Sequence, residues 1–313
     1  MRSSRQLNLL FYTGLGLMVV GFLWSASKVR RSDPRYRATI ADPTYRRGTG
    51  PRVAIDEAHL NSHTLNGLYK PFADLARNDG YRMERSLRKF SPDIFNGMDV
   101  LVVVNALGMG GVLAQVSGMR FPANAFEESE SDALRDWVSS GGALLLVADP
   151  EPCGRAAASL AGKFGVEMSD TIVEDQEHSD PGSRNSSYLV YLPENGLSAA
   201  HPITMGLARV MTFGGQALKG PESAQPLLTV SKKGVMYPRR NAFSSRTLSA
   251  AGMQQGLAFE FGRGRVVMLG EAGMLTAQVN SLPGGGEVRF GMSRSGIDNQ
   301  QFARNILKWL SAH

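Results

Sequence analysis

Two histidines and two carboxylates stand within one eight-residue stretch of this chain: Asp56, Glu57, His59 and His63, with Asn61 between the histidines. An imidazole exchanges a proton near neutral pH, and a carboxylate serves as acid, base or cation ligand, so this grouping has the parts for proton transfer or polar recognition. The stretch directly follows Arg52-Val-Ala-Ile-Asp56, a short apolar run that reads as a strand. The same placement recurs downstream. Asn105 follows the apolar run 98–104, Asp149 and Glu151 follow 143–148, and Glu271 follows 265–270. Ligands of open α/β sheets bind beyond the carboxyl ends of the strands, so a polar pocket is expected at one rim. The plainer alternative is that these groups cap helices and satisfy loop amides.

Narrower chemistries fit less well. His59 and His63 would share a helix face at a spacing of four, with Asp56 or Asp149 adding an oxygen, but no His-Glu-x-x-His order is present and no metal site is assigned. Val53-Ala-Ile-Asp-Glu-Ala-His59 spells a helicase-like box. Such a box needs an upstream phosphate loop, and Gly162-Lys163 lies downstream and is followed by Phe164. Cys153 is the one cysteine, which excludes an internal disulfide framework and a multi-cysteine zinc site. A nucleophile elbow after the strand 143–148 would fall on Ala148 or Asp149, so Cys153 reads as a small apolar residue.

Alternating elements must position these groups. Helices are predicted over 64–78, 129–140, 154–165 and 298–311, the last with Asp298 as N-cap. Strands are predicted over 52–56, 81–86, 98–104 and 143–148, then over 188–192, 209–213, 226–230, 257–261 and 265–270. The last two strands flank Gly262-Arg263-Gly264, a hairpin turn. The alternation indicates an α/β fold with a doubly wound, mostly parallel sheet. The apolar stretch 107–126 reads either as a lid over the rim or as a packed excursion.

The net charge of +6 is unevenly spread: residues 1–50 hold nine Lys and Arg against two Asp and Glu, and the remainder hold 25 against 26. A nearly neutral folded part argues against nucleic acid as a partner. Residues 7–24 form an uncharged, mostly apolar run followed by Lys28, Arg30, Arg31, Arg35 and Arg37. The run predicts an N-terminal transmembrane helix and a single-pass location in the cell membrane, with 1–27 as helix and basic head, 28–50 as basic linker and 51–313 as the α/β domain. The charge flanking the run favours a cytoplasmic domain, while Ser25-Ala-Ser27 offers a cleavage site for export; the face stays open.

Asp56-Glu-Ala-His-Leu-Asn-Ser-His-Thr64, Tyr69-Lys-Pro-Phe-Ala-Asp-Leu75 and Asp79-Gly-Tyr81 resemble the opening of DUF4350-type domains. Ala133-Leu-Arg-Asp-Trp-Val138 with Gly141-Gly-Ala-Leu-Leu-Leu-Val-Ala-Asp149 resembles their central helix–strand step. His201-Pro-Ile-Thr-Met-Gly206, Phe213-Gly-Gly-Gln216 and the segment 262–270 resemble later ones. The resemblance covers most of 51–311. It implies a flavodoxin-like fold similar to class I glutamine amidotransferases, and it adds Gln216 to the candidate ligand-binding residues. Those enzymes carry an elbow Cys and a downstream His-x-Glu pair; here the elbow reads Val-Ala-Asp-Pro and no His-x-Glu occurs, so glutamine hydrolysis is not implied.

The expectation is a non-amidotransferase domain that binds a polar ligand or a partner protein, with an accessory role in membrane transport or envelope assembly by analogy with related domains. The alternative is a hydrolase built on Asp56, Glu57, His59, His63 and Asp149, metal-dependent or not. No cofactor is assigned. His59→Ala and Asp149→Ala are expected to impair ligand binding while barely lowering stability.

Overall fold

The computed structural model describes residues 31–119, 121, 123–183, 185–237, 247–281 and 286–312. In chain order the first elements are β1 (Arg52–Asp56), α1 (Lys70–Asn78), β2 (Arg82–Ser86) and β3 (Val100–Val104). There follow α2 (Gly108–Ser117), α3 (Glu128–Ser139), β4 (Ala143–Val147), α4 (Cys153–Gly162) and β5 (Glu167–Met168). The second half supplies β6 (Tyr188–Tyr191), β7 (Val210–Phe213), β8 (Leu218–Lys219), β9 (Gln225–Thr229), β10 (Gln254–Phe261) and β11 (Gly264–Leu269). It closes with β12 (Ala277–Ser281), β13 (Glu287–Gly291) and α5 (Asn299–Leu310).

The main sheet runs β2-β1-β3-β4-β11-β10-β8-β5. Its first five strands are parallel neighbours, and taken in chain order they give the flavodoxin-like sequence 2-1-3-4-5, whose switch point lies between β1 and β3. Every residue of β3 and β4 is buried, as runs of Val and Leu covered on both faces should be. The pleat divides them. Val100, Val102 and Val104 join Phe72, Leu75, Phe302 and Ile306 on one face, whereas Leu101 and Val103 join Leu134, Val138, Ala157 and Leu160 on the other. Each fully buried Leu or Val adds about 1.5–3 kcal/mol of transfer free energy.

Beyond β11 the sheet turns antiparallel. Only residues 262 and 263 separate β10 from β11, which suffices for a hairpin but not for a parallel crossover. Gly262 is needed there: its φ is +59°, and a Cβ would come within 2.5 Å of the Ser139 carbonyl. Away from the main sheet, β6 pairs with β7, and β12 lies between β13 and the short strand Arg31–Ser32. The strand pair β12–β13 was not expected from the sequence.

Several expectations change. The segment 64–69 is a series of turns, and α1 begins only at Lys70 with Pro71 in its first turn, so His59 and His63 share no helix face. Asp298 holds the N-cap position of α5, yet its carboxylate accepts from the Ala208 and Arg209 amides instead of capping. The stretch 107–126 contains α2, whose outer face leaves Met109, Leu113 and Val116 exposed. The single-pass membrane location is corrected: among the described residues no helix is long and apolar enough to cross a membrane. Residues 7–24, on which the transmembrane helix was predicted, lie outside the described residues.

Candidate functional site

At the carboxyl ends of β1, β3, β4 and β11 the candidate residues sort into two groups. The first is a buried charged triad. Asp56 accepts from the Ala58 amide at 3.1 Å, from Asn61 Nδ2 at 3.0 Å and from His59 Nδ1 at 2.9 Å. His59 Nε2 lies 2.9 Å from Glu130 Oε1, so an imidazolium donates to a carboxylate at each end. Glu130 also accepts from the amides of Phe90 and Glu127, completing the capping box of α3. The imidazole ring is held between Phe90 and Phe126, with centroids 4.5 and 4.6 Å away.

Burial pushes the His59 pKa down, but Asp56 and Glu130 more than offset this and hold it above the ordinary histidine value. Burial likewise raises Glu130, while the Glu127 amide and His59 bring it below the ordinary carboxylate value. Glu57 is tied to the Leu65 amide at 2.9 Å and to Arg85 Nε at 2.7 Å. Asn61 bridges Asp56 to the Val104 carbonyl. Asp56, Glu57, His59 and Asn61, with Glu130 from α3, hold the loop after β1 in place.

The second group comprises His63, Asn105, Asp149 and Glu271. Asn105 Nδ2 donates to Asp149 Oδ2 at 2.9 Å, and its Oδ1 accepts from the Asp149 amide at 2.8 Å. The same Nδ2 lies 3.2 Å from His63 Nδ1. Asn105 has φ +45°, a left-handed conformation in which a short amide side chain is among the few tolerated. Asp149 Oδ1 accepts from the Ala272 amide at 2.7 Å. Glu271 accepts from the amides of Gly273 and Met274. Its burial, then the Asp149 charge beside it, raises its pKa to about 8 against the opposing pull of the Gly273, Met274 and Phe213 amides. Burial, then Glu271 and Asp149, push the Tyr69 phenol well up as well.

His63, Asp149 and Glu271 line a cleft of about 180 Å³. Tyr188, Phe213 and Phe290 also line it, packed edge-to-face on one another with ring centroids 5.3–5.7 Å apart. Gln278 and Asn280 of β12 also face the cleft, while Val279 between them is buried, the alternation of a strand with one face on the core. Asn105 reaches the cleft only through Asp149 and His63. Glu151 and Gln216 do not line it: Glu151 pairs with Arg155 at 3.2 Å, and Gln216 joins the Ala148 carbonyl to the Asp170 amide. No described residue of 107–126 lines it either.

Asp149 occupies the turn after β4, and Cys153 is buried at the start of α4 and forms no disulfide. Among the described residues no three His, Cys, Asp or Glu side chains are grouped to hold a metal ion. The cluster Asp56, Glu57, His59, His63 and Asp149 therefore does not converge on one centre. Sequence reasoning missed Glu130, for which the signal was Glu127-x-x-Glu130 ahead of an apolar run, and it missed the whole aromatic wall.

The class defined by this topology is a flavodoxin-like α/β fold. Among solved structures, the mmIFT52 N-terminal domain is similar, at 12% identity over 83% of this chain and 98% of that one, with a TM-score of 0.58. A ThuA-like protein from Parabacteroides merdae is 10% identical over 84% and 91% of the two chains, with a TM-score of 0.46. A GMP synthase component from Thermoplasma acidophilum is 9% identical over 82% and 92%, with a TM-score of 0.42. No protein-family model matches the chain, DUF4350 included, and no curated protein matches it. At these identities the likeness is one of fold alone.

Proposed function

We propose that this α/β domain binds a small polar ligand in the cleft formed by His63, Asp149 and Glu271 under Tyr188, Phe213 and Phe290. Of the two partner types the sequence allows, small ligand and protein, the cleft favours the first. The observation that carries this reading is the cleft itself, lined by His63, Asp149 and Glu271 from the ends of different strands together with Tyr188, Phe213 and Phe290. Asn105 fixes Asp149 from below at both its backbone and its side chain.

The test is a thermal-shift screen of small polar compounds against the full chain, repeated with Asp149→Ala. A compound that raises Tm by several degrees in the wild type and not in the variant supports the reading. A broad screen without any hit, with Asp149→Ala behaving as wild type, overturns it.

Asp149 and Glu271 support a second reading, acid–base hydrolysis, because two carboxyl groups lining one cleft, one of them with its pKa raised by burial, can supply both a base and an acid. Glu271 would then donate the proton and Asp149 would activate water. Turnover that falls on the alkaline side near pH 8, and is lost in both Glu271→Gln and Asp149→Asn, would favour it over binding alone.

A further inference from the structure

We propose that Asn105 fixes the His63 imidazole as its Nε2–H tautomer, so that His63 serves the cleft as a hydrogen-bond donor and not as a base. The inference rests on the reading of the cleft as a ligand site and assigns a polarity to one point of it. That polarity originates in the main chain. The Asp149 amide donates to Asn105 Oδ1 at 2.8 Å, and no side-chain rotation can reverse a main-chain donor. The Asn105 amide is therefore turned with its Nδ2 toward Asp149 Oδ2, 2.9 Å away, and toward His63 Nδ1, 3.2 Å away. An amide NH2 has two N–H donors and no acceptor, so each of these contacts takes one of them. A flipped amide would set its NH2 against the Asp149 N–H and its oxygen against the Asp149 carboxylate.

His63 Nδ1 can meet the Asn105 donor only with a lone pair. A proton on Nδ1 would point at the Asn105 N–H, so the ring proton resides on Nε2. Ser62 Oγ, 3.0 Å from the same Nδ1, then donates to it as well. Asn105 and His63 are 1% and 4% exposed, and at such burial two N–H groups aimed at each other would both go unsatisfied. The pair is held on both sides: Asn105 by its φ of +45°, and the His63 ring by an edge-to-face contact with Tyr69, with centroids 5.5 Å apart. Asn105 is thus a positioning residue that acts on the ligand through His63. A carbonyl or other lone-pair oxygen suits an Nε2–H; a group that must give up a proton does not.

The experiment is nitrogen-15 NMR of the full chain labelled at its five histidines, at about pH 8, above the ordinary histidine value. The His63 signals are assigned by their loss in His63→Gln. The wild type should show a bare Nδ1 and a protonated Nε2, as a single tautomer. Ser62→Ala should keep that pattern. Asn105→Asp, which tolerates the left-handed backbone but places an acceptor opposite Nδ1, should move the proton onto Nδ1. A ring protonated at Nδ1 or averaged between tautomers in the wild type overturns the assignment. So does a pattern that changes in Ser62→Ala and not in Asn105→Asp. Acetamide, a small neutral carbonyl compound, should move the Nε2 signal and its proton in the wild type and not in Asn105→Asp. Acetamide that moves only Nδ1, or leaves His63 unmoved, overturns the donor role. These readouts report the ring proton itself, so they can fail while the polar-compound screen succeeds; the ligand site then stands and its assigned polarity falls.

Discussion

His59 Nε2 lies 2.9 Å from the Glu130 carboxylate across a sequence separation of 71 residues, and this contact locks the loop after β1 to the first turn of α3. His59→Ala would leave Asp56 and Glu130 buried without their shared cation, at a cost of about 3–5 kcal/mol. Urea denaturation measures it. A loss under about 1 kcal/mol would show that the triad is not structural. The expectation that His59→Ala barely lowers stability is therefore replaced by its opposite.

The pH dependence of stability follows from three shifts. His59 is raised in the fold, so its contribution is full below about 6.5 and is lost as pH rises through the folded value. Glu130 is lowered, so its contribution is full above about 4.3 and is lost as pH falls through the folded value. Glu271 is raised to about 8, so between the unfolded value and 8 the folded chain holds a proton that the unfolded chain has released. Stability should fall there by up to about 1.4 kcal/mol per pH unit. Unfolding free energies at pH 5, 7 and 8.5 should decline in that order; a flat or rising series would contradict the assignment.

Asp149→Asn removes the charge beside Glu271 and should move the Glu271 titration below about 8. Carbon-13 NMR of the Glu271 carboxyl reads this directly. An unchanged midpoint would mean that burial alone sets it.

Asn105 separates strain from bonding. Both Asn105→Gly and Asn105→Ala lose the two bonds to Asp149, but only Ala pays for φ +45°, by about 1–2 kcal/mol. The Gly variant should therefore be the more stable of the two, and equal denaturation midpoints would remove the strain argument. Both should weaken ligand binding, since Asp149 loses its lower support.

The sequence by itself determined the α/β alternation and the buried strands, because Val100–Val104 and Ala143–Val147 are apolar throughout and helices such as Asn299–Leu310 carry one apolar face. It also determined that polar groups follow strand ends. It did not determine which of them share a space. His59 and His63 are four residues apart, yet the turns between them send one ring into the Phe90–Phe126 layer and the other to the cleft. Glu130 and the wall of Tyr188, Phe213 and Phe290 are far from the rim in sequence and carry no periodic signal that points there. A local pattern reports which face of an element is apolar; it does not report which element packs opposite. That pairing is set by the order of strands in the sheet and by the fit of buried surfaces, so only the tertiary structure decided that Asp149 and Glu271 line one cleft with Tyr188, Phe213 and Phe290 while Asp56 and Glu130 share the His59 ring.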